Sequence, residues 1–382
     1  MKLKLLAAAA FAAGVLAAPA SAQQTPIRIG FHAPLTGFAA SDGKSSLNGA
    51  QLAVEQINAD GGVNGRPLEL VVEDDQAKPD QAVPLANKFI GDGLKIVVSG
   101  SYSGPTRAAA GVFQAAKIPY VAGYAIHPDI TRAGDYVFRT SFMGEVQGKA
   151  AAKVVGDLLK KKRVTLITLN NDFGQALSAG FKEVADKFGL EIVSEYTYAM
   201  GDRQFGSIVA SVKRDNPEVL YVSGYFFNGG PLVAQLRAGG VQAQIVGTEG
   251  FDTDNFIAIA KNAAEGVIIT TSLDRESKLP AMRKFIEDYE AKYKVGADMV
   301  AASTHSAVSV AAAALAKAGP DDTAKLRDAL AATKDLPTAV GTLTFNELGE
   351  VNKAGQIQVI RDGKFHHFAT IDDPELLAAP TK

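Results

Sequence analysis

Hydroxyl, glycine and aromatic residues cluster in one segment of the chain, residues 99–106. This segment reads Ser-Gly-Ser-Tyr-Ser-Gly-Pro-Thr and directly follows the apolar triplet Ile96-Val97-Val98. A turn of this kind that leads into a helix suits a carboxylate or another anion, because helix N-termini present free N–H groups and a positive partial charge. A serine-rich turn that only caps a helix has the same composition, so both interpretations remain open from these residues alone.

Four further turns carry aromatic or acidic side chains directly after predicted buried strands. In open parallel sheets, ligands bind beyond the carboxyl ends of the strands, so turns from several strands can together enclose a small organic molecule. The candidate residues in the five turns are Tyr102, Ser103, Tyr124, Ala125, Ile126, Phe173, Tyr225 and Glu249.

Motifs for catalysis, cofactor binding or metal binding are missing from the sequence. No Gly-x-Gly-x-x-Gly follows a predicted strand, and neither a Walker A motif nor Gly-x-Ser-x-Gly occurs. There is no cysteine, and the five histidines lack the spacing of metal ligands. Ser303 and His305 lie two residues apart on a predicted helix and therefore do not face each other. We expect a binding protein that is not an enzyme and that has no cofactor.

Segments with strand and helix periodicity alternate along most of the chain. The first strand is predicted at 27–31, and helical spacing follows at Leu47, Ala50, Val54 and Ile57. Such alternation with short polar turns predicts an α/β fold with parallel sheets covered by helices, and two successive runs suggest two similar lobes. The tail differs, because three helices near 281–332 precede three short strands between 341 and 371. These late elements must be added to sheets that are already formed.

The N-terminal residues resemble a secretory signal peptide. Lys2 and Lys4 precede the uncharged apolar run 5–18, and Ala20-Ser21-Ala22 fits a signal-peptidase site. We expect a signal peptide at 1–22, a mature chain that begins at Gln23, and a periplasmic location. The formal net charge of −2 and the lack of a strong basic patch argue against nucleic acid as a partner.

Several short motifs together resemble the leucine/isoleucine/valine-binding proteins of bacterial ABC transporters, which are type I periplasmic binding proteins. The resemblance covers nearly all of the predicted mature chain. Its motifs include Pro34-Leu35-Thr36-Gly37, residues 57–65, Glu73-Asp74-Asp75, Arg139-Thr140, Asp172-Phe173-Gly174, Glu249-Gly250 and residues 263–267.

This resemblance implies two Rossmann-like lobes, three interlobe crossovers and a ligand in the cleft between the lobes. We place the crossovers near 139–141, 270–272 and 342–345. Lobe 1 then comprises residues 23–140 and 272–342, and lobe 2 comprises residues 141–271 and 343–382.

The resemblance also assigns roles to individual residues in the turns. Ser103, with Thr106 three residues on, matches the family's carboxylate-binding serine, and Glu249 matches the acid that pairs with the ligand ammonium. Tyr225 matches the aromatic residue of the second lobe, whereas Phe173 stands where a tyrosine is usual. The family's Ala-Thr pair matches Ala125-Ile126, so Ile126 can offer only its backbone N–H.

Asp42 occupies the position of an aromatic residue that some family members have in the first-lobe loop, so the resemblance does not carry that aromatic contact over to this chain. Two hydroxyls of the family are also missing, because the chain has Ile126 and Phe173.

The function that this resemblance implies is the substrate-binding component of an ABC importer. The chain would bind a small hydrophobic or branched-chain amino acid, or a close analogue, and would have the membrane permease subunits of the transporter as partners. The missing hydroxyls leave open a less polar carboxylate, such as an aromatic acid. A ligand sensor with the same fold is a further alternative, and we expect a monomer.

Overall fold

The computed structural model describes residues 25–379, so the predicted signal peptide lies outside the described residues. A five-stranded parallel sheet forms the first half, in the order β2-β1-β3-β4-β5. Its strands are β1 (Ile27–Ala33), β2 (Leu68–Asp74), β3 (Val97–Ser99), β4 (Tyr120–Ala122) and β5 (Val137–Arg139). Its connecting helices are α1 (Ala40–Ala59), α2 (Pro79–Gly91) and α3 (Ser103–Ala116).

The second sheet has seven strands in the order β14-β13-β10-β9-β8-β6-β7. Strands β6 to β10 pair in parallel, whereas β13 and β14 are antiparallel additions at the β10 edge. The strands are β6 (Arg163–Leu169), β7 (Glu191–Tyr198), β8 (Val219–Ser223), β9 (Gln244–Gly247), β10 (Ile268–Thr271), β13 (Gly355–Arg361) and β14 (Lys364–Ile371). The helices are α4 (Gly144–Lys153), α5 (Asp172–Val184), α6 (Gly206–Asp215), α7 (Phe226–Ala238) and α8 (Asp254–Ala260).

The tail elements return to the first sheet before the chain reaches β13. Helices α9 (Pro280–Tyr293), α10 (Met299–Ala318) and α11 (Thr323–Ala331) precede a two-stranded sheet of β11 (Leu336–Thr338) and β12 (Gly341–Leu343). The chain therefore passes between the two main sheets three times, after β5, after β10 and after β12.

Helix α10 is a core helix of the first half. It is long and apolar enough to cross a membrane by length and composition, but 78% of its apolar window is buried inside the protein. It packs against α1 and contacts β3 and β4. Gly49 permits this close packing, because a Cβ there would lie 2.2 Å from the Ala301 carbonyl oxygen.

The predicted α/β class with two parallel sheets is confirmed. The sequence did not predict β5 and β11, each of which has only three residues. Helix α2 begins at Pro79, and Lys78 is its N-cap residue. Proline suits the first helical position, where its missing N–H costs no hydrogen bond. The residue boundaries of the lobes remain a prediction.

Candidate ligand-binding site

A small cavity lies between the two halves, where turns at the carboxyl ends of strands from both main sheets meet. The N-termini of α1 and α10 complete its wall. Twelve residues line it: Asp42, Tyr102, Ser103, Tyr124, Phe173, Tyr225, Glu249, Gly250, Asp252, Thr253, Met299 and Val300.

The turn after β3 supplies one wall of this cavity. Tyr102 is the N-cap residue of α3, and Ser103 is the first residue of that helix. The Ser103 hydroxyl accepts a hydrogen bond from the backbone N–H of Ile126 at 3.1 Å, which fixes it beside the next turn. The Tyr124 hydroxyl donates to the Gly100 carbonyl at 2.9 Å and so joins the same two turns. The serine hydroxyl is thus held at a helix N-terminus, in a position suited to an anion.

An aromatic stack crosses from one half of the molecule to the other. The rings of Tyr102 and Tyr225 are nearly parallel, with centroids 4.2 Å apart, and the Phe173 ring also stacks on Tyr225, with centroids 4.6 Å apart. All three side chains are buried. Since Tyr102 follows β3 of the first sheet and Tyr225 follows β8 of the second, this stack holds the two halves in a closed arrangement.

Glu249 is the acidic group that the second half contributes. It follows β9, and its side chain is only 2% exposed. Neither carboxylate oxygen has a hydrogen-bond partner among residues 25–379. Burial raises the pKa of Glu249 to about 8, while neighbouring Gln147 and the Lys353 ammonium act in the opposite direction. A buried carboxylate of this kind is prepared to accept hydrogen bonds from a cationic group.

Asp42 and Asp252 are two further carboxylates at the cavity, and their surroundings differ. Asp252 is paired with Arg275 at 2.5 Å and accepts a hydrogen bond from Thr271, so its charge is balanced. Asp42 accepts one hydrogen bond, from the Tyr102 hydroxyl at 2.7 Å. Burial raises the pKa of Asp42 to about 7; the Tyr102 hydrogen bond lowers it and Asp298 raises it further.

Basic side chains are missing from the twelve lining residues, none of which is lysine, arginine or histidine. Among the described residues 25–379, no group of three or more histidine, aspartate or glutamate side chains converges as a metal site would require. The arrangement offers hydroxyls at a helix N-terminus, stacked aromatic rings and two carboxyl groups, those of Asp42 and Glu249, that form no salt bridge among residues 25–379.

Six of the eight predicted site residues line this one cavity: Tyr102, Ser103, Tyr124, Phe173, Tyr225 and Glu249. Ala125 and Ile126 do not line it and are buried behind it. The Ile126 N–H, which we expected to be offered to a ligand, is already donated to Ser103. Thr106 also lies outside the lining, and its hydroxyl is hydrogen-bonded to that of Ser99 at 2.7 Å. Whether these residues bind a ligand remains a prediction.

Six lining residues were not among the predicted site residues: Asp42, Gly250, Asp252, Thr253, Met299 and Val300. Asp42 lies in the first turn of α1, at a position where the resemblance gave no contact to carry over. Met299 and Val300 begin α10, which belongs to the tail of the chain. Thr253 follows the turn that contains Glu249, and an extension of that turn by one residue would have included it.

Comparisons with known proteins agree with this geometry. A family model described as "Periplasmic binding protein" matches residues 26–364. The Leu/Ile/Val-binding protein homolog 3 of Brucella melitensis biotype 1 is 36% identical over 354 residues, which are 92% of this chain and 95% of that protein.

Two solved structures are similar over most of their length. The leucine-binding protein LivK of Thermotoga maritima MSB8 gives a TM-score of 0.86 at 25% identity, covering 91% of this chain and 99% of that one. The branched-chain amino acid transporter substrate-binding protein LivJ of Streptococcus pneumoniae, in complex with isoleucine, gives 0.84 at 28% identity with the same coverage.

Proposed function

The chain belongs to the periplasmic binding protein family, and we propose that it binds a small α-amino acid of the branched-chain class, or a close analogue, between its two lobes. The family consists of non-catalytic solute-binding proteins, so this chain is not an enzyme, as the sequence predicted. The relatives named as leucine/isoleucine/valine-binding proteins support the amino-acid class of the ligand.

The observation that carries this proposal is the buried Glu249 carboxylate, which faces the cavity without a hydrogen-bond partner among the described residues. An α-ammonium group would supply both the missing donors and the missing positive charge. Ser103 and the backbone N–H groups at the start of α3 would hold the α-carboxylate. Hydrogen bonds to charged groups contribute about 1.5–3 kcal/mol each. A few of them, with apolar contacts to Phe173 and Tyr225, reach the roughly 8 kcal/mol of a micromolar site.

An aromatic acid without an amino group fits this cavity less well. Its carboxylate would lie in a small buried space together with Glu249 and Asp42, and no lining residue carries a positive charge. Like charges that lie close together in a poorly solvated site repel each other strongly. The carboxylates of the cavity therefore favour a zwitterionic ligand over an anionic one.

We also propose the transport role and the location that the sequence predicts. The protein would be exported, lose residues 1–22, and deliver its ligand as a monomer to the membrane permease subunits of an ABC importer. The lobes would be residues 23–140 with 272–342, and residues 141–271 with 343–382. N-terminal sequencing of protein released by osmotic shock should give Gln23 at or near the first position, and retention of Met1 in that protein would contradict the export proposal.

The ligand class is tested by titration calorimetry with leucine, isoleucine and valine against benzoate and hydroxylated benzoates. We expect at least one amino acid to bind at micromolar concentration or below and the aromatic acids to bind more weakly. Tight binding of an aromatic acid, with no response to any amino acid, would refute the proposal.

Ser103→Ala should weaken binding of the amino acid, because it removes a hydroxyl at the proposed carboxylate position. Ser101→Ala is the matched control. Ser101 lies in the same turn, but its hydroxyl is not part of the cavity lining and has no hydrogen-bond partner among residues 25–379. Equal effects of the two substitutions would argue against a carboxylate contact at Ser103.

A further inference from the structure

Asp42 is a buried carboxylate of the cavity that the proposed function leaves without a role. We propose that Asp42 selects the side chain of the bound amino acid and favours one that carries a hydrogen-bond donor over a hydrocarbon side chain of the same shape. The inference rests on the proposed function, since it assumes that the α-amino and α-carboxyl groups are held by Glu249 and Ser103.

The hydrogen bonding of Asp42 is incomplete. Its side chain is 5% exposed and lines the cavity, and the Tyr102 hydroxyl donates to Oδ2 at 2.7 Å. No other group among residues 25–379 donates to either oxygen, whereas an ionised carboxylate can accept about four hydrogen bonds. A donor on the ligand is the remaining way to compensate this group once the cleft is closed.

Other carboxylates near this end of the cavity have their partners within the protein. Asp298 accepts from the Ser45 hydroxyl at 2.6 Å and from the Ala301 N–H at 2.8 Å, where it caps α10. Asp252 has Arg275 as its counter-ion. Asp42 thus differs from both, because it is positioned at the cavity without a cation and without a capping role.

The position of Asp42 also fits a contact with the side chain rather than with the α-carbon groups. If Ser103 and Glu249 hold the two charged groups, the ligand side chain extends toward the remaining lining residues. These include Asp42 together with Met299 and Val300, which contribute apolar side chains to the lining. These lining residues suit a short aliphatic side chain that carries one hydrogen-bond donor. A buried carboxylate oxygen without a hydrogen-bond partner is costly, and the same burial raises the pKa of Asp42 to about 7.

Valine and threonine form the most direct test, because they have the same shape and differ by a methyl group against a hydroxyl. Titration calorimetry at pH 8 should show that the parent protein binds threonine at least about ten-fold more tightly than valine, as expected for a hydrogen bond to a charged acceptor. A third ligand, 2,4-diaminobutyrate, distinguishes a cationic donor from a neutral one. Stronger binding than threonine would extend the preference to ammonium groups, and weaker binding would restrict it to neutral donors.

Asp42→Leu should reverse the threonine preference, because it replaces the acceptor with a hydrocarbon, and retained valine binding shows that the variant is folded. Asp42→Asn keeps the shape and an acceptor oxygen, so it should reduce the preference without reversing it. Asp80→Asn, an exposed acid in the same half of the molecule, should leave the ratio of the two affinities unchanged.

The inference is wrong if the parent binds valine as tightly as threonine, or if Asp42→Leu leaves their ratio unchanged while leucine or valine still binds. In those cases the proposed amino-acid function stands. Failure of every amino acid to bind would overturn the proposed function and this inference with it.

Discussion

Replacement of Glu249 by glutamine is the substitution that most directly examines the ligand-binding mechanism. Glu249→Gln preserves the shape of the side chain and removes the negative charge that would face the ligand ammonium. Truncation of one partner of a buried charge pair costs about 2–5 kcal/mol. Neither Gln147 nor Lys353 donates a hydrogen bond to Glu249, so the substitution breaks no hydrogen bond within residues 25–379. We expect the affinity for an amino acid to fall roughly 30-fold or more at pH 8.5.

The pH matters because burial in the closed structure raises the pKa of Glu249 to about 8. In an open, ligand-free protein the exposed carboxyl group is ionised at pH 6 and above, since its ordinary pKa is 4.5. A ligand ammonium that keeps the group ionised on closure then requires no change in protonation, so the affinity of the parent protein for an amino acid should change little between pH 6 and 8.5. Closure around a ligand without an ammonium group would instead make Glu249 take up a proton near pH 7.

Calorimetry of both proteins between pH 6 and 8.5, in buffers with different ionisation enthalpies, measures the affinity and the protons taken up or released. Glu183→Gln is the control, because Glu183 is an exposed acid of the same half and should not alter either quantity. The reasoning fails if Glu249→Gln binds its best amino acid as tightly as the parent at pH 8.5. It also fails if the parent takes up about one proton on binding the amino acid near pH 7. If the true ligand is an aromatic acid, the substitution should leave binding unchanged or improve it, because a repulsive charge is removed.

The remaining predictions concern stability and shape. Gly180→Ala should lower the free energy of unfolding by about 1–3 kcal/mol in urea denaturation, because the added Cβ would lie 1.9 Å from the Glu145 carbonyl oxygen. Gly111→Ala should raise it by about 0.5–1 kcal/mol, since nothing lies within 4 Å of a Cβ there, and a loss similar to that at Gly180 would show that the packing argument is wrong. Glu350→Ala should cost about 3–5 kcal/mol in the same assay, because it leaves the fully buried Arg139 guanidinium without its counter-ion, and a loss below about 1 kcal/mol would contradict this. Small-angle scattering should give a smaller radius of gyration with saturating ligand than without it, and an unchanged radius would count against closure of the two lobes on binding.

The alternation of strands and helices was predictable from hydrophobic periodicity because most strands are buried on both faces and therefore read as apolar runs. Strand β5 escaped this reasoning for a physical reason. It has only three residues, and one of them is Arg139, a charged residue that the pattern assigns to the surface. Arg139 is tolerated in the interior because Glu350 pairs with it from 211 positions further along the chain. A local pattern cannot contain such a partner.

The cavity residues that we predicted were likewise visible in local sequence patterns, whereas those that we missed depend on contacts between distant parts of the chain. Turns after strands were found because the carboxyl ends of parallel strands form a recognisable class of position. Asp42 and Met299 come instead from the N-termini of α1 and α10, which lie side by side only after the tail has folded back onto the first sheet. The hydrogen bond from Ser45 of α1 to Asp298, which precedes α10, spans 253 positions and shows how this corner is assembled. The resemblance to known proteins did not help at Asp42, because the residue type departs from the family's aromatic side chain.

The two unbalanced carboxyl groups also explain why closure of the cleft would depend on the ligand. In the closed structure burial raises the pKa of Asp42 from 3.8 to about 7 and that of Glu249 from 4.5 to about 8. At about 1.4 kcal/mol for each pKa unit, burying either group at pH 7 without a ligand costs about 3 kcal/mol or more. The ring pairs Tyr102–Tyr225 and Phe38–Phe227, which cross between the two halves, return only about 0.5–1.5 kcal/mol each. Closure without a ligand is therefore unfavourable on these terms. A ligand that brings an ammonium group to Glu249 and a donor to Asp42 removes both penalties at once, so the groups that would recognise the ligand are also those that would make the closed state depend on it.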